Sequence, residues 1–335
     1  MSSFFEKGES AARHRSIWSR GAQGGDTDRG PALPLSTCLE PDFGHVHDDA
    51  RFSVSFMRTL RIPDDGRDYP LPAGLGRFPM VRVSDLGSGA PRRWRENSGV
   101  LLPMYQSEAM WLSFDSGTAC TPHDYPFAVK VLAGGIDAVS GEDWQRGLVR
   151  DPQNYVVVPE QPWLDGFCVG KGRIRQFVAE PLGEGRTVEE RLTGVAKFGG
   201  LQLVVTPMKA KEWERIKPKW SGAALREPDA CYSAAPSSLE MGLGAGGSML
   251  QEIYEDPYER DVWDERHTQT CFVRIVQAQR WQDVTGHPVP HPPISKERYA
   301  EAGIPWFGYF DADLEVVNAG TRLGELDVPG WSEMG

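Results

Sequence analysis

Apolar residues recur with a period of two, or in short valine-rich runs, over most of residues 52–278. In the first of these segments Phe52, Val54 and Phe56 alternate with other residues, which is the spacing of a half-buried strand. Further segments of this kind are residues 80–83, 109–114, 127–141, 155–160, 167–169, 173–181, 201–208, 249–256 and 271–278. Because each has the length of one strand or one hairpin, the pattern predicts a protein built mainly from β-strands.

Two glycine-containing segments predict tight turns between these strands. Gly134 and Gly135 divide residues 127–141, and the tripeptide at 170–172 is Gly-Lys-Gly. Glycine adopts a positive φ angle without steric cost, and two-residue hairpin turns require that conformation. Both segments are therefore expected to form hairpins.

Helical patterns are few and short. In residues 187–194, Thr187 can act as the N-cap, Glu190 stands at the capping-box position and Gly194 can end the helix. Three more short helices are predicted at residues 210–218, 279–286 and 295–303. The chain also contains 37 glycines and 26 prolines, which indicates many turns. The sequence thus predicts a β-rich fold, all-β or α+β, and favours a β-sandwich or jelly-roll-like body with a few short helices late in the chain.

The first 50 residues differ in composition from the rest. Gly, Ser, Asp, Arg and Pro dominate residues 1–50, which therefore offer little apolar surface for burial. We expect a disordered or flexible N-terminal tail over residues 1–50. Residues 51–335 are expected to form a single β-rich globular domain with a helical C-terminal part.

Charge and cysteine content bear on the partners and the compartment. The net charge of −11 repels phosphate backbones and disfavours nucleic-acid binding. The short basic run at residues 92–95 is interpreted as a solvated loop. No apolar run reaches the length of a membrane span, and no apolar leader is present, so we expect a soluble, cytoplasmic protein. Its five cysteines, an odd number without C-x-x-C spacing, are expected to be free thiols.

Several sequence blocks resemble one family of uncharacterised proteins from actinobacteria and filamentous fungi. The most specific block is VVPEQPWLDG within residues 156–166. The others lie at residues 58–76, 104–114, 174–194, 198–205, 240–258 and 303–311. The resemblance covers about residues 51–320, and it implies no fold, activity or site residue.

The block at residues 158–166 is also the first candidate for chemistry. Two prolines stiffen a turn that carries Glu160 and Asp165, with Trp163 between them. A pair of carboxylates can perform acid–base catalysis on a glycan, and an indole offers a flat surface to a sugar ring. The same residues also fit a rigid β-turn in which Trp163 fills the core and Asp165 bonds to backbone N–H groups. We favour the rigid turn.

A second acidic and aromatic set lies at residues 249–256. If this segment is a strand, Glu252, Tyr254 and Asp256 share one face and could line a cleft for a ligand. The glycine-rich residues 241–247 before it lack the context of a phosphate-binding loop, and we interpret them as a flexible or bulged loop.

Two histidines could in principle bind a metal. His45 and His47 would share a face on a strand, but they lie at the end of the predicted tail. We therefore predict no metal site and no cofactor.

Because no catalytic motif outweighs its structural interpretation, the leading hypothesis is a non-catalytic β-scaffold that binds a protein partner or assembles with itself. Two alternatives stay open. One is an enzyme that uses Glu160 and Asp165 on a glycan. The other is a carbohydrate-binding module that uses exposed tryptophans.

Overall fold

The computed structural model describes residues 33–304 except 66, 68, 70, 71, 73, 118–123, 218–239 and 259. Thirteen strands lie in these residues: β1 Ser53–Thr59, β2 Val81–Arg82, β3 Val100–Met104, β4 Ala109–Asp115, β5 Phe127–Ala133, β6 Ile136–Asp137, β7 Val156–Val158, β8 Trp163–Leu164, β9 Gly166–Gly170, β10 Arg173–Pro181, β11 Leu201–Pro207, β12 Glu240–Leu250 and β13 Gln269–Gln277. The α-helices in the same residues are α1 Arg92–Asn97, α2 Val188–Thr193, α3 Ala210–Ile216, α4 Trp281–Thr285 and α5 Lys296–Glu301. The predicted β-rich fold is confirmed.

All thirteen strands belong to one sheet. Its main path runs β1-β4-β10-β12-β13-β11-β5-β6, and the remaining strands pair alongside this path. The pairs are antiparallel except that β3 lies parallel to β13. The two predicted hairpins are present, since β5 pairs with β6 across Gly134 and Gly135, and β9 pairs with β10.

Most of the buried apolar side chains form one core. Leu112 of β4, Leu164 of β8, Val131 of β5 and Leu203 of β11 all belong to it. A smaller core, which contains Trp94 and Trp281, lies against β2, β3 and the end of β13. Because side chains alternate along a strand, the strand residues beside Leu112 and Leu164 point to the opposite face of the sheet from those two leucines.

The four predicted helices are present as α2 to α5. Helix α2 has the expected capping box between Thr187 and Glu190, and Gly194 ends it with a positive φ of 76°. No helix in the described ranges is long and apolar enough to span a membrane.

The basic run at residues 92–95 is helix α1, so its interpretation as a solvated loop is wrong. Trp94 explains the difference, because its indole is fully buried in the smaller core and anchors the helix. The three arginines around it are exposed.

The described end of the expected tail is packed on the sheet. In residues 33–50, Leu39, Phe43 and Ala50 are buried in the main core. Backbone hydrogen bonds join Ser36 to Met80 and Leu39 to Val54. Scattered apolar residues in a polar segment were enough to attach these residues to the body, whereas residues 1–32 lie outside the described part.

The glycine-rich residues 241–247 form the middle of strand β12, not a loop. A Cβ on Gly247 would lie 2.0 Å from the carbonyl oxygen of Pro63, and one on Gly246 would lie 2.6 Å from Val178 Cγ2. The glycines therefore allow neighbouring segments to approach the strand closely. The pairing with β10 shifts register between Arg175 and Phe177, so the strand carries the bulge that the glycines favour.

Candidate functional site

Residues 158–166 and 249–256, the two segments that the sequence analysis selected, lie side by side. Gln251 accepts a hydrogen bond from the backbone N–H of Asp165 at 3.0 Å through its side-chain oxygen. Its amide nitrogen donates to the carbonyl of Trp163 at 3.3 Å. The side-chain oxygen of Gln161 accepts from the backbone N–H of Tyr254 at 3.2 Å. Buried glutamine side chains thus hold residues 251–254 against residues 161–165.

The carboxylate of Glu160 has a structural partner. The hydroxyl of Tyr258 donates a hydrogen bond of 2.7 Å to its Oε1 atom, whereas its Oε2 atom is buried without a partner. Burial of the phenol raises the pKa of Tyr258, and its hydrogen bond to Glu160 raises it further. Glu160 therefore joins the turn after β7 to the chain that follows β12.

Asp256 forms a similar but deeper connection. Tyr155 donates to its Oδ2 atom at 2.6 Å, and the indole N–H of Trp263 donates to the same atom at 3.0 Å. The guanidinium of Arg150 lies 3.7 Å from that atom. Since these groups surround a buried carboxylate, Asp256 is a packing residue of this region.

The expectation that Glu252, Tyr254 and Asp256 share one strand face is wrong. Strand β12 ends at Leu250, which pairs with Arg173 at the start of β10, so no partner strand continues beyond it. Residues 251–258 are irregular, and they expose Glu252 and Tyr254 while burying Asp256.

The rigid-turn hypothesis expected Trp163 to fill the core, but it does not. Its side chain is 37% exposed, because the core position of β8 is taken by its neighbour Leu164. Strand β8 pairs with β4 so that Trp163 lies opposite Ser113 and Leu164 lies opposite Leu112. Trp163 consequently faces away from the core together with Ser113.

Asp165 is the most perturbed carboxyl group of the two segments. It is 2% exposed, and its Oδ1 atom has no hydrogen-bond partner. Loss of hydration raises its pKa to about 7, although hydrogen bonding from the Trp163 side chain works in the opposite direction. Within the described residues, no backbone N–H donates to this carboxyl group, although the rigid-turn hypothesis expected such a bond. A pKa of about 7 means that a large part of the population is protonated at neutral pH.

Trp111 joins this site, although sequence reasoning did not select it. It lies two residues before Ser113 on β4 and faces the same way, since Leu112 between them is in the core. The partner of Ser113 across the pairing of β4 with β8 is Trp163, so the two indoles lie on the same face of the sheet, two positions apart along β4. The indole Nε1 of Trp111 is also buried without a partner. A tryptophan at an outward position of a predicted strand was the available signal.

Exposed apolar side chains are concentrated near this site. Leu250 is 66% exposed and Tyr254 is 52% exposed, and hydrogen bonds of Gln251 and Gln161 hold their segment against the segment of the exposed Trp163. Only two other large apolar side chains in the described residues are exposed, Leu35 and Val195. We name Trp163, Leu250 and Tyr254 the apolar surface.

His45 and His47 do not lie on a common strand face. His47 forms a hydrogen bond of 2.9 Å with Glu214, whereas the ring of His45 packs edge-on against His267 with centroids 5.1 Å apart. Within the described ranges, no group of three His, Cys, Asp or Glu side chains has a geometry that could hold a metal ion.

The three cysteines in the described part, Cys38, Cys168 and Cys271, are free thiols, and the other two lie outside it. Burial raises the pKa of the Cys271 thiol to about 12, so this thiol is a poor nucleophile.

A separate buried ionic group lies near the end of β1. Both Nε and Nη2 of Arg58 donate to Glu108, and Nη1 of Arg61 lies 3.9 Å from Glu180. Burial lowers the pKa of the neighbouring His291 to about 3, so that imidazole is neutral. These charges compensate one another inside the protein.

No protein-family model, curated protein or solved structure shows significant similarity to this chain. The site is therefore interpreted from its own geometry.

Proposed function

We propose that this protein is a non-catalytic β-scaffold that associates with a second copy of itself through the apolar surface. The observation that carries the proposal is the exposure of Trp163, Leu250 and Tyr254 on two segments that hydrogen bonds hold side by side. Exposed apolar groups of this kind favour association, and tryptophan and tyrosine contribute strongly to the energy of protein interfaces.

Charges beside the apolar surface favour a symmetric contact. The turn that contains Lys171 reaches residue 252, since the N–H of Gln251 bonds to the carbonyl of Gly172 at 3.2 Å. Lys171 and Glu252 are both exposed there. In a two-fold contact the same surface faces itself, so Lys171 of one copy can lie against Glu252 of the other.

The structural roles of the carboxylates give less support to the glycan-hydrolysing alternative. Tyr258 binds one oxygen of Glu160, and Asp165 is shielded from solvent. A hydrolase needs both groups to reach the same glycosidic bond. Their contacts are with different parts of the protein.

Sedimentation velocity over about 1 to 200 µM protein tests self-association in a range suited to a small interface. The sedimentation coefficient should increase with concentration towards that of a dimer. Leu250→Ser and Tyr254→Ser should each move the midpoint at least about tenfold higher in concentration, which corresponds to a loss of about 1.4 kcal/mol. Val195→Ser, at an exposed apolar residue elsewhere, is the matched control and should have no effect.

Reversal of the charges of Lys171 and Glu252 tests the proposed two-fold contact directly. Lys171→Glu and Glu252→Lys should each weaken association, and the double variant should recover it because the pair is restored with opposite polarity. A protein that stays monomeric at every concentration would overturn the proposal. So would an equal effect of Val195→Ser.

A further inference from the structure

The outward face of β4 and β8 has the composition of a small-ligand site. Trp111 and Ser113 come from β4, and Trp163 and Asp165 come from β8 and the residue after it. Ser55 of β1 pairs with Ser113 and adds a second hydroxyl group at the same edge. The two indoles and the two hydroxyls therefore share a face, and the carboxyl group of Asp165 lies beside Trp163, whose side chain hydrogen-bonds to it.

Two polar atoms on this face lack partners. They are the indole N–H of Trp111, which is a donor, and Oδ1 of Asp165. A buried polar group without a hydrogen bond costs about 1–3 kcal/mol, so folded proteins usually satisfy it with protein or solvent. Trp111 lies two residues before Ser113, which pairs with Trp163, and the Trp163 side chain hydrogen-bonds to the carboxyl group of Asp165, so both atoms belong to residues near the Trp163 indole.

We propose that this face binds one ring of a neutral saccharide, with the ring against Trp163 and its hydroxyl groups directed to Trp111 and Asp165. The C–H face of a sugar ring is apolar and fits an indole, whereas its hydroxyls both donate and accept hydrogen bonds. One hydroxyl can accept from Trp111 Nε1, and an adjacent hydroxyl can bond to the carboxyl group of Asp165.

The absence of strong charge on this face selects neutral sugars. Its other contributors, Trp111, Ser113 and Ser55, carry no charge, and a carboxyl group in this apolar setting retains its proton up to about neutral pH. A uronic acid or a sulfated sugar would find no cation among these residues. Above neutral pH, the ionised Asp165 would repel such ligands.

Because Trp111 Nε1 and Asp165 Oδ1 are buried, a ligand reaches them only if the side chain of Trp163 moves. Trp163 is 37% exposed whereas Leu164 is fully buried, and we infer that the Trp163 indole rotates to admit the ring while Leu164 keeps its place in the core. We place the sugar ring between the rotated indole and β4.

Isothermal titration calorimetry with cellohexaose, maltohexaose, laminarihexaose and chitohexaose tests the site, with polygalacturonate as the anionic comparison. At least one neutral oligomer should bind saturably, whereas polygalacturonate should not. Trp163→Ala should abolish measurable binding. Trp111→Phe, which keeps an aromatic ring but removes the N–H donor, should weaken binding about tenfold, as the loss of one hydrogen bond to a buried partner does.

Asp165→Asn and Leu250→Ser complete the experiment. Asp165→Asn keeps the shape of the side chain without its titration, so the saccharide affinity should lose its dependence on pH between about 6 and 8. Leu250→Ser should bind saccharide as the parent does, which separates this proposal from self-association. Near-ultraviolet circular dichroism verifies the packing of each variant. The proposal is overturned by a parent that binds none of the neutral oligomers, by preference for polygalacturonate, or by unchanged binding in a folded Trp111→Phe variant.

Discussion

Ionisation of Asp165 should destabilise the folded protein, and Asp165→Asn should remove that effect. In the folded state the pKa of this carboxyl group is about 7, whereas an unfolded aspartate has a pKa of about 3.9. The folded state therefore retains a proton that the unfolded state releases. The stability that this group contributes is complete below about pH 4 and is lost progressively as the pH rises to about 7.

The size of the effect follows from the difference between the two pKa values. One unit corresponds to about 1.4 kcal/mol, so complete ionisation costs the folded state on the order of 4 kcal/mol. Only part of this difference lies between about pH 5 and pH 8. The free energy of unfolding of Asp165→Asn, relative to the parent, should increase over that interval by about 2–3 kcal/mol.

Urea unfolding followed by tryptophan fluorescence measures this difference at constant ionic strength. Other buried carboxyls also titrate, since burial raises the pKa of Asp137 to about 6 and that of Glu180 to about 7. Both are present in the parent and in the variant, so the difference between the two proteins isolates Asp165. Glu252→Gln, at an exposed site in the neighbouring segment, is the control and should show a constant offset. A constant offset for Asp165→Asn as well would refute the reasoning.

Three further variants examine other parts of the structure by urea unfolding. Glu108→Ala should lose about 3–5 kcal/mol, because it leaves the buried guanidinium of Arg58 without its carboxylate, and a loss below about 1 kcal/mol would contradict this role. Gly247→Ala should be strongly destabilised, since the new Cβ would lie 2.0 Å from the Pro63 carbonyl oxygen, and a parent-like midpoint would show that β12 does not pass so close. Trp163→Ala should change the free energy of unfolding by less than about 1 kcal/mol. A loss of about 3–5 kcal/mol would instead show that its indole is buried in the core.

Local patterns predicted most of the secondary structure. The period-two segment that begins at Phe52 corresponds to β1, and the run at residues 201–208 corresponds to β11. Turn and cap residues were equally informative, as the hairpin at Gly134 and the capping box of Thr187 show. These features depend on contacts within a few residues, which a single sequence displays directly.

Features that depend on distant contacts were missed. The glycines of β12 look like a loop because the reason for them is the approach of Pro63 and Val178 from elsewhere in the chain. Helix α1 looks like a charged loop because only the smaller core shows why Trp94 is buried. The outward position of Trp163 depends on the register between β8 and β4, which tertiary packing determines.

The same limitation affects the candidate site, where carboxyl groups that look alike in the sequence differ in what their oxygens contact. Asp256 receives hydrogen bonds from Tyr155 and Trp263, so its charge is compensated and its role is to hold the chain after β12 in place. Glu160 has one oxygen bound by Tyr258, which gives it a similar role. Of these three carboxyl groups, Asp165 is the one that combines burial and an unpartnered oxygen with a pKa near neutrality. Substitution of Glu160 or Asp256 should therefore lower the free energy of unfolding. Asp165→Asn should raise the free energy of unfolding above neutral pH, because it removes a buried charge. The sign of the change therefore separates the two classes of carboxyl group.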